Sequence, residues 1–208
     1  GVYLYGWSRI SSRAHIAAGT IVAVSGAASA VFVVIANAWM NSPTGFTLQN
    51  GVVTSVDPLA AMLSPAAFPE VLHMLLASYA ATGFAVAGIH ALLLRRDPRN
   101  AFHRRALTIA LIVGVPAAIL QPVSGDISGR YVARWQPPKL AAMEGQFRTQ
   151  AGAPLRLGGV PDVSAQRTRW AIDIPYGLSL MAFHDPHAVV RGLEAFPRDE
   201  WPPVPIVH

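Results

Sequence analysis

One histidine of this chain lies within a long apolar stretch. His73 stands in the segment 72–79, LHMLLASY, whose other members are mostly apolar. An imidazole at membrane depth needs a partner there, which is either a metal or haem iron that it ligates or a polar group on another helix. Position alone leaves both interpretations open: a ligand, or a neutral histidine hydrogen-bonded to a neighbouring helix.

Two short motifs follow the third apolar stretch: GDISG at 125–129 and QPPKLAAME at 136–144. Lys139 and Glu144 in the second motif are five positions apart, about 140° around a helix, so they are not the usual stabilising pair. A carboxylate can accept a proton from a hydroxyl while a lysine holds an oxygen. The alternative to a catalytic role is that Lys139 and Glu144 lie on a solvated helix face. Asp126 in the first motif could orient this loop, cap the following segment or support catalysis.

Further polar residues have two interpretations each. Ser29 and Asn37 in the first apolar stretch could line a hydrophilic path for protons, or they could hydrogen-bond to another helix. The sequence HDPH at 184–187 suggests a metal site. With no third ligand in view, a turn is the favoured interpretation of that segment.

The composition indicates a membrane protein. Hydrophobic residues make up 52% of the 208 residues and charged residues only 13%, against about 25% charged in soluble domains; the mean hydropathy is +0.38. The chain has no cysteine, which excludes disulfides and cysteine-ligated metal centres. The net charge is +5, but the basic residues form no aromatic-interleaved face, so we expect no nucleic-acid partner.

Three apolar stretches are candidates for membrane-spanning helices: residues 15–40, 68–94 and 106–122. The first two exceed the roughly 20 residues needed to cross the hydrocarbon layer, and the third is shorter and contains Pro116. Five arginines lie in 95–105, whereas 41–67 has no Lys or Arg. The positive-inside rule therefore predicts that 95–105 is cytoplasmic and that 41–67 is external.

These spans divide the chain into eight segments. We expect a cytoplasmic segment 1–14, an external loop 41–67, a cytoplasmic basic loop 95–105, an external loop 123–203 with an amphipathic helix at 138–147, and the start of a further span at 204–208. The predicted fold class is all-α: a transmembrane helical bundle with an external, partly helical loop region. We expect it to be part of a longer polypeptide.

The motifs together resemble one family of respiratory membrane proteins, subunit I of the cytochrome bd ubiquinol oxidases. GDISG and QPPKLAAME are similar to the start of that family's quinol-binding loop. LHMLLASY is similar to its haem-binding segment, and ANAWMNSP at 36–43 is similar to the end of its preceding span. The resemblance covers essentially the whole chain.

The resemblance implies specific roles. His73 would be an axial ligand of a low-spin haem b, and Lys139 and Glu144 would belong to the quinol-oxidation site. A high-spin haem b and haem d would have ligands outside this chain, so the chain alone should not reduce oxygen. The implied partners are ubiquinol or menaquinol, dioxygen in the complete enzyme, a second oxidase subunit, the remaining parts of subunit I, and membrane lipid.

The implied location is the bacterial inner membrane, crossed several times, with the quinol loop on the external side. Two other classes of function compete with the oxidase. One is a non-catalytic membrane module, such as a transporter fragment or an assembly scaffold. The other is a haem-binding anchor that passes electrons without its own quinol site.

Overall fold

The structure is a computed structural model that describes residues 1–204. The described chain consists of two units, which divide between Gln121 and Pro122. The α-helices are α1 Val2–Tyr5, α2 Ser12–Asn41, α3 Pro58–Met62, α4 Ala67–Arg96, α5 Ala101–Trp135, α6 Pro137–Met143 and α7 Gly177–Phe183. The strands are β1 Phe46–Gln49, β2 Val52–Val56, β3 Gln150–Ala151, β4 Leu155–Leu157, β5 Val160–Asp162, β6 Arg167–Arg169, β7 Ile172–Ile174 and β8 Val189–Val190.

Three helices are long and apolar enough to cross a membrane. They are α2 and α4, with 30 residues each, and α5, with 35. The stretches 15–40, 68–94 and 106–122 lie inside them, so the mostly helical membrane fold is confirmed. Because an isolated helix satisfies its backbone hydrogen bonds internally, it can place apolar side chains against lipid at no cost in unpaired peptide groups. Which residues lie within the membrane, and which loops lie on the cytoplasmic or the external side, stay predictions.

The third long helix does not end where its apolar run ends. It continues through Pro116 and Pro122 to Trp135, so residues 123–135, which we expected to begin the external loop, are helical. Proline is tolerated inside a membrane helix where its surroundings compensate for the missing hydrogen bond. Past Pro122, an ion pair between Asp126 and Arg130, with 2.8 Å between Oδ2 and Nη2, links consecutive turns of the helix.

Helices α4 and α5 approach each other closely at two glycines. A methyl group added to Gly83 would lie 2.6 Å from the Cα of Gly114. Small side chains at a crossing let two helix backbones come together, which is how membrane helices gain packing energy without a hydrophobic driving force. The alanines Ala87, Ala110 and Ala117 on the same two helices are also buried.

The segment between α2 and α4 contains a β-hairpin. Strands β1 and β2 pair antiparallel and are joined by Asn50 and Gly51, whose φ angles are +53° and +79°. Two central residues with positive φ define the tight turn that matches the twist of a hairpin, and Asn-Gly is its preferred sequence. The hairpin was not predicted.

The second unit combines α6 and α7 with three antiparallel strand pairs: β3 with β8, β4 with β7, and β5 with β6. Two 3-10 helices follow, at Leu193–Ala195 and Arg198–Glu200. One apolar cluster joins the end of α5 to α6 and α7 through Ala133, Leu140, Leu178 and Ala182. The predicted loop 123–203 is therefore a folded unit with its own small core. Of the expected further span, 204–208, residues 205–208 lie outside the described residues.

The Gly83 crossing generates a prediction about stability. Gly83→Ala should lower the thermal unfolding midpoint of the full-length protein in detergent, because the added methyl group meets backbone atoms and overpacking costs about 1–3 kcal/mol. The control is Gly88→Ala on the same helix, where an added methyl group has no heavy atom within 4 Å. Equal midpoints for the two variants would contradict the close crossing.

Candidate functional site

His73 lies two turns into α4 and is half-buried. The side-chain nitrogen of Gln121, on α5, is 3.1 Å from Nε2 of His73 and 3.3 Å from Nδ1. The imidazole therefore has a polar partner on a neighbouring helix. This is the arrangement expected for a histidine that hydrogen-bonds to another helix. Its role as a ligand stays a prediction.

The chemistry of this pair also fits a haem ligand. An imidazole that binds iron through one ring nitrogen commonly donates a hydrogen bond from the other. The amide of Gln121 carries an oxygen as well as a nitrogen, so rotation of that amide offers an acceptor at the same place. Among residues 1–204, no three His, Asp or Glu side chains converge to hold a metal ion. A single imidazole suits a porphyrin-held iron better than a bare ion, because the porphyrin supplies the other four nitrogen ligands.

Helix α6 carries the second motif and ends immediately before Glu144. Pro137 and Pro138 occupy its first positions, where a missing N–H costs least. At its other end, Gly145 has a φ of +55°. The amides of Gly145 and Gln146 donate to the carbonyls of Ala142 and Ala141, at 3.3 and 2.8 Å. This is the pattern of a Schellman cap.

The predicted helix at 138–147 is therefore shorter than expected. Lys139 lies in its first turn and Glu144 directly after its last residue, and both are partly buried. The positive φ of Gly145 ends the helix and thereby fixes the backbone position of Glu144.

A mostly apolar cavity of about 410 Å³ lies in the second unit. Two carboxylates, those of Asp126 and Glu144, are its charged lining groups. Its remaining lining residues are Pro122, Gly125, Gly129, Leu140, Leu155, Leu178, Met181 and Ala182. The structure thus brings together Asp126 and Glu144 from the two motifs, while Lys139 does not line the cavity. A mostly apolar cleft with a few polar groups is the usual form of a small-molecule site.

Asp126 lies inside α5 and therefore caps no helix. Its Oδ2 accepts a hydrogen bond from Nε of Arg130 at 2.9 Å. Its Oδ1 lies 2.7 Å from Nε2 of His184. His184 was not among the predicted site residues, although the segment 184–187 had stood out in the sequence. The contact between His184 and Asp126 joins residues 58 positions apart in the chain. A local sequence pattern cannot reveal such a contact.

Arg156 on β4 supports the turn that carries Glu144. Its Nη1 donates to Oε1 of the fully buried Gln146, at 2.5 Å, and lies 3.5 and 3.4 Å from the carbonyl oxygens of Glu144 and Gly145. The guanidinium also lies 3.6 Å from Asp173. Sequence reasoning missed Arg156, because its contacts come from the pairing of distant strands.

Ser29 and Asn37, the two candidates for a proton path, both lie on α2. Both are exposed on α2, and Oδ1 of Asn37 accepts a hydrogen bond from Asn41 on the same helix at 3.1 Å. Their role in a proton path stays a prediction.

Gln136 directly precedes α6. Its side-chain nitrogen and oxygen are buried and have no hydrogen-bond partner within residues 1–204.

The fold and this site define an integral membrane protein with helical spans and a second folded unit. Residues 1–208 match the family model of cytochrome bd terminal oxidase subunit I, and the chain belongs to that family. The resemblance inferred from the motifs is therefore confirmed.

Three similar proteins illustrate the match. A putative cytochrome bd menaquinol oxidase subunit I of Bacillus subtilis strain 168 is 39% identical over 207 residues, covering 98% of this chain and 47% of the relative. Cytochrome bd-II ubiquinol oxidase subunit 1 of Escherichia coli K12 is 29% identical over 205 residues, covering 97% of this chain and 40% of the relative. The solved bd oxidase from Geobacillus thermodenitrificans superposes with a TM-score of 0.83 at 39% identity, over 100% of this chain and 48% of that one. The chain thus spans about half the length of the relatives it matches.

The hydrogen bonds of Arg156 to the turn at 144–146 generate a prediction about local order. Arg156→Met should speed limited proteolysis between residues 144 and 173 of the full-length protein by about 5-fold or more, because a buried acceptor left unpaired costs about 1–3 kcal/mol. Arg167→Met is the control, since Arg167 is exposed on the neighbouring β6. Cleavage of both variants at the wild-type rate would show that Arg156 does not hold this turn.

Proposed function

We propose that this chain is the quinol-oxidising and low-spin-haem-binding part of a cytochrome bd-type terminal oxidase subunit. The observation that carries the proposal is the mostly apolar cavity that Asp126 and Glu144 both line, in a chain that belongs to this family. The complete enzyme oxidises quinol and reduces dioxygen to water. A second subunit and further parts of subunit I complete it.

A quinol suits this cavity by its chemistry. Its ring is flat and apolar, and its two hydroxyl groups must lose two protons when two electrons leave. Leu140, Leu155 and Met181 offer apolar contacts for the ring, and Glu144 offers a base for a hydroxyl proton. Lys139 holds a quinol oxygen in this proposal. It lies on α6 directly before Leu140, which lines the cavity, but does not line the cavity itself, so side-chain movement has to bring it to the substrate.

The buried amide of Gln136 supports a polar ligand at the same segment. A buried amide without partners costs free energy, and a quinol oxygen or a water molecule would satisfy it. Two relatives are described as menaquinol and ubiquinol oxidase subunits, so a quinol is the class of substrate we assign here.

His73 holds a low-spin haem b in this proposal. Haem bound there would supply one-electron redox chemistry. His73 would hold the haem iron through one ring nitrogen. Gln121, whose side-chain nitrogen lies 3.1 Å from Nε2 and 3.3 Å from Nδ1, would orient the imidazole by accepting a hydrogen bond from the other ring nitrogen after its amide rotates. The other protein ligand of this haem, and the ligands of the high-spin haem b and haem d, would come from parts of the enzyme outside this chain.

The enzyme lies in the bacterial inner membrane. The three apolar helices and the family support this location. The arginines in 95–105 favour a cytoplasmic position for that loop by the positive-inside rule, and in this proposal residues 41–67 and the quinol site lie on the external side.

The haem assignment predicts a spectroscopic loss. His73→Ala in the complete oxidase should abolish the low-spin b-type band of the reduced-minus-oxidised spectrum while the protein still inserts into the membrane, because the variant lacks the imidazole nitrogen for iron. His90→Ala, which removes a different histidine from α4, should keep the band. An unchanged low-spin band in His73→Ala would refute the assignment.

The quinol assignment predicts a kinetic loss. Glu144→Gln keeps the shape of the side chain and removes its basicity, so quinol-driven turnover should fall by about 10²-fold or more. Oxygen reduction driven by an artificial donor that bypasses the quinol site should survive, with normal haem content. Glu200→Gln, at an exposed position of the same unit, is the control. If quinol-driven and artificial-donor rates fall together, or neither falls, Glu144 is not the base.

A further inference from the structure

The Asp126–His184 pair connects the cavity to a solvent-exposed imidazole. Asp126 lines the cavity, and Oδ1 of Asp126 lies 2.7 Å from Nε2 of His184. The exposed fraction of the side chain is 35% for Asp126 and 57% for His184. The pair therefore reaches from a mostly apolar cavity wall to water in two side chains.

The backbone at His184 is arranged for this contact. His184 ends α7 in the left-handed region, with a φ of +56°, and its amide donates to the carbonyl of Leu180 at 2.8 Å. Residues other than glycine adopt this region uncommonly, and such conformations concentrate at functional sites. His184 thus ends α7, and its side chain contacts Asp126 of α5.

His184 is not needed to neutralise Asp126. Arg130, one turn further along α5, already holds the other carboxylate oxygen through two nitrogens, at 2.8 and 2.9 Å. A guanidinium stays charged throughout the physiological range and cannot transfer a proton. An imidazole can both accept and release one. The second partner of Asp126 thus adds proton transfer, which the first cannot supply.

The other polar residues of the 184–187 turn have different partners. The carboxylate of Asp185 accepts from the amide of His187 at 2.8 Å. The ring of His187 packs against Tyr176, with 5.7 Å between ring centroids. His184 is therefore the residue of this turn that contacts a cavity carboxylate, that of Asp126, whose other oxygen is held by Arg130.

We propose that His184 relays protons from the quinol cavity to the external water, acting through Asp126. This inference rests on the proposed function. Each quinol releases two electrons to the haem-bearing part of the enzyme and two protons into the cavity, one at a time. A proton taken by Glu144 or by cavity water passes to Asp126 and then to Nε2 of His184. The proton on Nδ1 leaves to water, and exchange with water restores the starting tautomer. His184 is a positioning and relay residue, because it contacts Asp126 and not the substrate.

The test compares three variants of the complete oxidase in weakly buffered medium. His184→Ala should slow quinol-driven oxygen consumption by about 10-fold or more. Imidazole added to the medium should restore the rate, because a soluble base can take the place of the missing ring. His184→Gln keeps an N–H donor for Asp126 but cannot pass a proton on, so it should be equally slow. His187→Ala should keep the wild-type rate.

Three results would overturn the relay. These are a wild-type rate in His184→Ala, a wild-type rate in His184→Gln, and a slow His184→Ala that imidazole does not rescue; the last two would mean that His184 only ties α7 to α5. Haem spectra and artificial-donor rates of each variant show that the enzyme is assembled. A loss of the relay is distinguishable from a failure of the proposed function, because Glu144→Gln tests the quinol site without touching His184.

Discussion

The structure depends on one constraint: within a lipid hydrocarbon layer, every backbone N–H and C=O must find its partner inside the protein. Helices α2, α4 and α5 meet this constraint by running without interruption for 30, 30 and 35 residues. The same constraint acts on polar side chains. His73 of α4 meets Gln121 of α5, and near the connection between these helices Nδ1 of His90 lies 3.0 Å from Nδ1 of His103.

The candidate site forms where apolar sequence gives way to polar sequence. Past Pro122, helix α5 carries a carboxylate, Asp126, that would be costly deeper in the membrane. Helix α6 then ends at a glycine cap, so that Glu144 reaches the same cavity as Asp126. Arg156 and the buried Gln146 hold the turn that follows. A cavity with apolar walls and two acidic groups is suited to a substrate that is apolar in its ring and loses protons on oxidation.

Much of this architecture could be predicted from the sequence, because length and hydropathy report directly on membrane helices. The depth of His73 and the motifs at 125–129 and 136–144 indicated the family and the two places where chemistry was expected. The end of α5 was not predictable in this way. Hydropathy marks where apolar residues stop, whereas the helix continued to Trp135 with an Asp126–Arg130 pair on its surface.

The remaining parts of the site depend on contacts between distant positions. His184 meets Asp126, 58 residues away, only because the strand pairs of the second unit return the chain to α5. Arg156 reaches Gln146 through the same folding. Strands of two or three residues have too short a pattern to be recognised in a sequence. The β-structure of the 123–203 region, and with it these two residues, therefore required the structure.

The central claim is that quinol bound by this part of the enzyme delivers electrons to a haem held by His73. The most direct test mixes the oxidised, complete oxidase with excess quinol under strictly anaerobic conditions and follows the low-spin b-type absorption band. The account predicts that this band appears on mixing. A protein whose b-type haem is reduced by dithionite but never by quinol would contradict the account.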